Sequence, residues 1–250
     1  MTDMPIPPVR FAEGEFRIGR VLRVTFSVLS RHFPQFVAVT TVAYVPSLLV
    51  MQAMVTAESS QGATVALALL GALVALVFNM LSQAIVLHGA FQHIRRRPVS
   101  LTDSVRVGFN RALAVVALAI IEAFLVVITV LALVFPALIL LTMWAVTVPV
   151  CVVEQRGPVE SLGRSSELTR GHRWKIFGLL VPIFAVDLLV SPLMDEMFTA
   201  AGGSTLMLVG TLAWNGVWGA FYAIAIAVAY HDLRVAKEGV DIEQITAVFD

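Results

Sequence analysis

Charged side chains are scarce in this sequence. They make up 14% of its 250 residues, and hydrophobic residues make up 58%, whereas a soluble domain carries about 25% charged residues. This composition favours an integral membrane protein over a soluble domain. Cysteine is scarcer still, because Cys151 is the only one. No internal disulfide can form, and we expect Cys151 to pack as a small apolar residue.

The sequence motifs of common enzymes are missing as well. It contains no Gly-x-Ser-x-Gly, no phosphate-binding loop and no dinucleotide fingerprint, and the polar segments are too short to form a catalytic domain. The five histidines are not clustered with cysteine at metal-binding spacings. We therefore expect a protein that is not an enzyme and that has no cofactor and no metal site. The polar, proline-rich stretch from Met1 to Arg10 does not resemble a cleaved signal peptide.

The longest apolar run extends from Ala112 to Val153 and holds one charged residue, Glu122. As one helix it would be about 63 Å long at ~1.5 Å per residue, while the hydrocarbon core of a bilayer is about 30 Å thick. The run must therefore cross the membrane twice. We expect the turn at Val134-Phe135-Pro136, because proline is tolerated in the first turn of a new helix but not in its interior.

Four further apolar runs predict four more spans. They are Phe33 to Val55, Ala63 to Leu87, Trp174 to about Met194, and Thr205 to about Tyr230. The fold class is thus an all-α integral membrane protein with six transmembrane helices. We expect three tandem units, each an amphipathic cytoplasmic helix followed by a transmembrane hairpin, starting near Glu15, Ser100 and Pro158.

Local helix signals support these units. Ser100 and Asp103 have the spacing of a capped helix start, Pro158 suits a first helical position, and Gly171 suits a helix end. The basic, apolar-faced helix from Glu15 to Arg31 either lies in the membrane interface or packs on its neighbours. We expect a disordered cytoplasmic lead at 1–14, a six-span membrane domain at 15–231, and a cytoplasmic tail with a short amphipathic helix at 232–250.

Basic residues are absent from three of the predicted loops. All 17 Lys and Arg residues fall before span one, between spans two and three, between spans four and five, or after span six. Positively charged residues stay on the cytoplasmic side of a membrane protein. This distribution predicts that both termini are cytoplasmic and that the number of spans is even.

Two ionisable residues, Glu122 and Asp187, lie inside predicted spans. A charge at the bilayer centre costs about 2.5–3.5 kcal/mol, so such groups usually face the bundle interior or water. One interpretation is a proton or cation relay in which Asn79, Gln83 and Asn215 are neutral partners. The other is that each acid is protonated or hydrogen-bonded to a neighbouring helix and is purely structural.

The basic residues of the cytoplasmic segments are candidates for binding anionic lipid headgroups, at about 1 kcal/mol per basic residue near the surface. Alternatively, they only determine the topology. Nucleic acid is a poor ligand for them, because they lie against a membrane face. These candidates are Arg17, Arg20, Arg23, Arg95, Arg96, Arg97, Arg170, Arg173 and Lys175.

Three segments resemble the glycerophosphoryl diester phosphodiesterase membrane-domain family. Ser165 to Gly178 is similar to its signature loop, and Tyr230 to Arg234 and Ile18 to Leu22 also match. The resemblance extends from about Phe16 to Asp250 and implies a six-helix, multi-pass domain of the bacterial inner membrane. That domain is sometimes fused to a phosphodiesterase domain, for which these 250 residues leave no room. The family's enzymatic activity and catalytic residues are therefore not carried over.

Two functional hypotheses follow. The first is a non-enzymatic scaffold or anchor that organises membrane lipids or binds a protein partner at its cytoplasmic face. The second is a small transporter or channel that uses Glu122 and Asp187. A cavity at membrane depth beside either acid favours the second hypothesis. Gly216 and Gly219 suit close helix packing, either within one subunit or between two subunits of a homo-oligomer.

Overall fold

The computed structural model describes residues 16–56, 61–94, 99–132 and 134–238. Within these residues all regular secondary structure is α-helical. The nine helices are α1 (Ile18–Arg31), α2 (Phe33–Thr56), α3 (Gln61–Ile94), α4 (Leu101–Asn110), α5 (Ala112–Ala132), α6 (Val134–Met143), α7 (Thr147–Val153), α8 (Pro158–Thr169) and α9 (Arg173–Glu238). The predicted lead at 1–14, the basic triplet Arg95 to Arg97 and the predicted final helix after 238 lie outside the described residues.

Helix α9 is a hairpin rather than a single rod. Its first arm (Arg173–Ala201) and second arm (Thr205–Glu238) lie side by side. The indole Nε1 of Trp214 donates to Asp187 at 3.0 Å, and the Thr211 hydroxyl donates to Asp195 at 2.5 Å. The reversal falls at Gly203, whose φ of 71° is a left-handed conformation that glycine adopts without steric cost. The predicted fifth and sixth spans therefore pack against each other.

The long apolar run also folds back. Glu122, about halfway along α5, lies beside the hydroxyl of Thr147, the first residue of α7. The chain passes from α5 to α6 next to Val134, and Pro136 falls in the first turn of α6. Pro136 therefore lies in the first turn of a new helix, as expected, whereas Val134 and Phe135 are helical rather than a turn.

Four helical segments are long and apolar enough to cross a membrane. A fifth is obtained if α4 and α5, which meet at 61°, form one broken span. The segment Leu138–Val153 is apolar but shorter. An all-helical protein with several membrane-spanning helices is therefore confirmed in the described part of the chain. The predicted number of six spans, in three units, is not established by helix length and composition.

The three predicted amphipathic helices are α1, α4 and α8. Ser100 caps α4, since its hydroxyl accepts the backbone N–H of Asp103 at 3.3 Å. Pro158 is the first residue of α8, and the chain leaves this helix at Gly171, whose φ is 89°. Helix α1 packs on α9, with the Phe26 and Phe221 rings 5.1 Å apart. Packing on neighbouring helices is thus the alternative that the structure supports for α1.

Two glycines of the second arm of α9, Gly216 and Gly219, face α2 of the same chain. A Cβ atom at Gly216 would lie 2.1 Å from the Thr41 hydroxyl oxygen, and one at Gly219 would lie 3.5 Å from Thr40. The hydroxyl of Thr40 donates to the Gly216 carbonyl at 2.5 Å. Of the two alternatives for these glycines, packing within one subunit is the one observed.

Candidate functional site: a polar cavity inside the helical bundle

A cavity of about 390 Å³ lies among α2, α3, α5, the α6–α7 segment and both arms of α9. Every intramembrane polar residue singled out from the sequence lines it: Glu122, Asp187, Asn79, Gln83 and Asn215. These residues belong to four separate helical segments and are widely spaced along the chain. The fold therefore brings together side chains that had been selected only for being polar in apolar surroundings.

The neutral members of this set are held by their own helices. Asn79 and Gln83 are one turn apart on α3, and the Gln83 amide donates to the Asn79 side-chain oxygen at 2.6 Å. This spacing places both side chains on one face of α3. The Asn215 amide donates to the Thr211 carbonyl at 2.8 Å, one turn earlier on α9.

The two acids lie on different walls of the cavity. Asp187, on the first arm of α9, accepts from Trp214 on the second arm at 3.0 Å and from Ser191 at 3.1 Å. Glu122 is contributed by α5 and lies beside Thr147. Each acid therefore has neutral hydroxyl or indole neighbours.

Aromatic side chains form much of the remaining wall, and sequence analysis did not single them out. They are Tyr44 on α2, Trp144 between α6 and α7, and Phe184, Trp218 and Tyr222 on α9. A signal for two of them was available. Trp218 and Tyr222 follow Asn215 at spacings of three and seven residues, which places all three on one helix face.

The charge of the cavity wall is of one sign. Its ionisable acids are Glu122 and Asp187, and the residues that line it include no Lys, Arg or His. Asn79, Gln83, Asn215 and the hydroxyls of Thr40 and Ser82 supply further polar atoms. The arrangement can hold a group that is positively charged, and it offers no cation to bind an anion.

The end of the bundle where α7 and α8 meet the end of α9 has a different chemistry, which is dominated by ion pairs. Glu154, whose side chain is 9% exposed, accepts from Arg156 at 2.8 Å and from Arg164 at 3.1 Å. The Tyr230 hydroxyl donates to the same carboxylate at 3.2 Å. Arg164 also pairs with Glu238. This network links α7 and α8 to the end of α9, and sequence analysis did not foresee it.

The lipid-binding candidates fall into several environments. Arg20 makes a two-point ion pair with Asp232, at 3.0 and 2.5 Å, and half-buried Arg173 donates to the Ser166 hydroxyl at 3.4 Å. The other described candidates are exposed: Arg17, Arg23, Arg170 and Lys175. Arg95, Arg96 and Arg97 lie outside the described residues.

His172 lies next to these cations, at the entry to α9. Burial, together with the nearby Lys175 and Lys237, lowers the pKa of His172. Its ring also contacts Phe16, with a centroid distance of 6.2 Å. This histidine is therefore neutral at pH 7 and adds no charge to the basic surface.

The histidines do not form a metal centre with other ligands in the described part of the chain. Within it, no three His, Cys, Asp or Glu side chains come close enough to hold a metal ion. His32 and His93 are hydrogen-bonded to each other at 3.0 Å and tie α3 to the start of α2. Cys151 is buried, as expected for a packed thiol.

Comparison of the chain with protein-family models, curated proteins and solved structures found no match. The resemblance to the glycerophosphoryl diester phosphodiesterase membrane-domain family therefore stays a prediction. The functional proposal below rests on the cavity and on the residues that line it.

Proposed function

We propose that this protein is a membrane transporter or channel whose cavity binds a cationic solute. The observation that carries the proposal is the convergence of all the intramembrane polar candidates on one cavity of about 390 Å³. Burying acids and amides at membrane depth is costly, at about 2.5–3.5 kcal/mol for an acid. In a purely structural role, such groups would be sealed among apolar neighbours. Here they surround open space.

The membrane arrangement that we propose has six spans, with both termini in the cytoplasm of a bacterium and the domain in its inner membrane. Two observations support it. All 17 basic residues fall on one predicted side, which is cytoplasmic by the positive-inside rule. The contact between Glu122 and Thr147 also requires that the run from α5 to α7 reverses direction.

Sidedness is tested with cysteines introduced into the protein in which Cys151 is replaced by serine. We expect Ser59→Cys to react with a membrane-impermeant maleimide from outside the cell. Glu160→Cys, at an exposed position of α8, should react only after the membrane is permeabilised. Labelling of Ser59→Cys from the inside alone would overturn the proposed arrangement.

Transport is tested by flux into proteoliposomes under an imposed membrane potential, with protons, K⁺ and tetramethylammonium as separate probes. We expect uptake of at least one of these cations. Glu122→Gln and Asp187→Asn should each reduce that uptake at least tenfold. Glu196→Gln is the matched control, because Glu196 is an exposed acid of α9 outside the cavity. No uptake of any probe, or equal uptake by all variants, would contradict the proposal.

A second candidate function, lipid organisation or anchoring at the cytoplasmic face, is favoured by one specific feature. The Trp174 side chain is 85% exposed, and the neighbouring Arg170 and Lys175 are exposed as well. Aromatic and basic residues of this kind sit at the level of lipid headgroups. We expect Arg170→Gln with Lys175→Gln to reduce the anionic lipid that copurifies with the protein. An unchanged lipid content would exclude this function for these residues. A protein partner and a homo-oligomer stay predictions.

A further inference from the structure

We infer that the cavity is selective for organic cations, that is, amines or quaternary ammonium compounds, over inorganic cations and neutral solutes. The inference rests on the proposed function and specifies its substrate class. It depends on three properties of the cavity wall: the sign of its charge, its aromatic content and its size.

The sign of the charge excludes anions. Glu122 and Asp187 are the ionisable acids of the wall, and its lining residues include no Lys, Arg or His. An anion in this space would be desolvated without a cation to pair with it, which is strongly unfavourable. A cation would find one acid on α5 and another on α9.

The aromatic content distinguishes among cations. Tyr44 comes from α2, Trp144 from the break between α6 and α7, and Tyr222 from the second arm of α9. Trp218 also lines the cavity, but its ring is stacked on Trp214 and Phe221, with centroids 5.2 and 5.4 Å away, and is not counted among these rings. The other three rings therefore approach the cavity from different sides. Aromatic rings attract a cation through their negative faces, and enclosure by several rings is how proteins recognise quaternary ammonium groups. This attraction competes best with hydration when the cation is weakly hydrated, as an alkylated ammonium is.

The size of the cavity also favours an organic cation over an inorganic one. At about 390 Å³ it falls in the range of about 300–1,000 Å³ that is usual for small-molecule sites. A bare K⁺ would occupy a small part of this space, and most of its water would have to be retained. An organic cation of several carbon atoms occupies more of this space than a bare ion and gains contact area with the rings.

Binding is tested by isothermal titration calorimetry on the full-length protein in nanodiscs, with isosteric ligands. The cationic ligands are choline, tetraethylammonium and benzyltrimethylammonium. The neutral ligand is 3,3-dimethylbutan-1-ol, which has the shape of choline with carbon in place of nitrogen. We expect at least one cation to bind, choline to bind at least tenfold more tightly than its neutral isostere if choline is that cation, and a large excess of K⁺ not to displace it.

Two variants separate the aromatic and the acidic contributions. We expect Trp144→Leu to weaken binding of the ammonium ligand about fivefold to tenfold, the loss of one cation–π contact. Trp174→Leu, which removes an exposed tryptophan outside the cavity, should leave binding unchanged. Glu122→Gln should weaken binding of the ammonium ligand and leave binding of the neutral isostere unchanged.

Each other outcome overturns the inference. Equal binding of choline and its isostere would mean an apolar cavity without charge selectivity, and displacement by K⁺ would mean an inorganic cation site. Binding of none of the three ammonium compounds would also reject it. If proton or K⁺ flux sensitive to Glu122→Gln is then still measured, the proposed transport function survives and only the substrate class fails. If ammonium compounds bind but no flux is measured, the transport function fails instead.

Discussion

Two acidic regions of this protein differ in what surrounds their carboxylates. Where α7 and α8 meet the end of α9, Glu154 lies against Arg156 and Arg164. In the cavity, Asp187 accepts from the Trp214 indole and the Ser191 hydroxyl, which are neutral donors. The same functional group is thus committed to helix packing in one region and left able to bind a cation in the other. The difference teaches that the partner of a buried acid, more than its burial, indicates its role.

The most direct test of this difference is to replace Glu154, the acid that is paired with arginines. Glu154→Ala removes an acceptor shared by Arg156, Arg164 and the Tyr230 hydroxyl. Because Arg164 keeps Glu238 and the Arg156 side chain is 45% exposed, the cost is about 2–3 kcal/mol, less than for a fully buried pair. We expect a loss in the free energy of unfolding of that order, measured by thermal denaturation in detergent. Glu160→Ala, at an exposed position of α8, is the control. Equal losses in the two variants would mean that the network contributes nothing specific.

Breaking the ion pair between Arg20 and Asp232 should lower the free energy of unfolding by less. This pair also allows the coupling energy between two side chains to be measured directly. The Asp232 side chain is 4% exposed and that of Arg20 is 33% exposed, so we expect Asp232→Asn to cost about 2 kcal/mol. Combined with Arg20→Gln, the loss should be less than the sum of the two single losses, by about 1 kcal/mol. The measurement is a double-mutant cycle in thermal denaturation. Strict additivity would show that the two side chains are not coupled.

Helices α2 and α9 pack closely at Gly216, beside the cavity. In Gly216→Ala the new methyl group would lie 2.1 Å from the Thr41 hydroxyl oxygen, and overpacking of this kind costs about 1–3 kcal/mol. Gly163→Ala is the matched control, because a Cβ atom there meets nothing within 4 Å, and alanine favours a helix by about 1 kcal/mol. We expect opposite signs in a thermal denaturation assay. Stabilisation by Gly216→Ala would mean that the helices are less closely packed.

The smallest expected effect lies in the cavity itself. Glu122→Gln and Asp187→Asn retain side-chain shape and a hydrogen-bond acceptor, and neither breaks an ion pair within the described residues. We expect each to change the free energy of unfolding by less than about 1 kcal/mol while cation uptake is lost. Thermal denaturation of the proteins used for the flux assay provides the measurement. A large loss of stability would assign these acids a structural role and remove the contrast between the two regions.

The polar cavity residues were predictable because a polar side chain inside a membrane span needs a polar neighbour. Asn79, Gln83 and Glu122 could be chosen on this ground alone, and the fold places them together. Which apolar and aromatic residues face the bundle interior, and which face lipid, was not predictable in this way. Lipid and bundle interior are equally apolar, so the sequence of a span does not distinguish its two sides. Trp144 was missed for this reason, whereas the spacing of Trp218 from Asn215 was a signal that could have been used.

Turns and caps were predictable where one residue type dominates the local backbone. Pro136 indicated the start of α6, Ser100 indicated the start of α4, and Gly171 indicated the end of α8. The network around Glu154 was not predictable, because Glu154 and Glu238 are far apart in the sequence and meet at Arg164 only through the fold. The break between α6 and α7 had no signal strong enough to place it.

That break has a consequence for how α8 can be altered. The Thr147 backbone N–H bonds to the Trp144 carbonyl at 3.1 Å, which leaves the Met143 carbonyl without the donor that a continuous helix would give it. The Ser165 hydroxyl supplies one at 2.8 Å and the Thr169 hydroxyl lies at 3.4 Å. Helix α8 thus completes the backbone bonding of a neighbouring helix, beside the tryptophan of the cavity wall. A reporter domain inserted into α8 would disturb that wall, so α8 is a poor place for one.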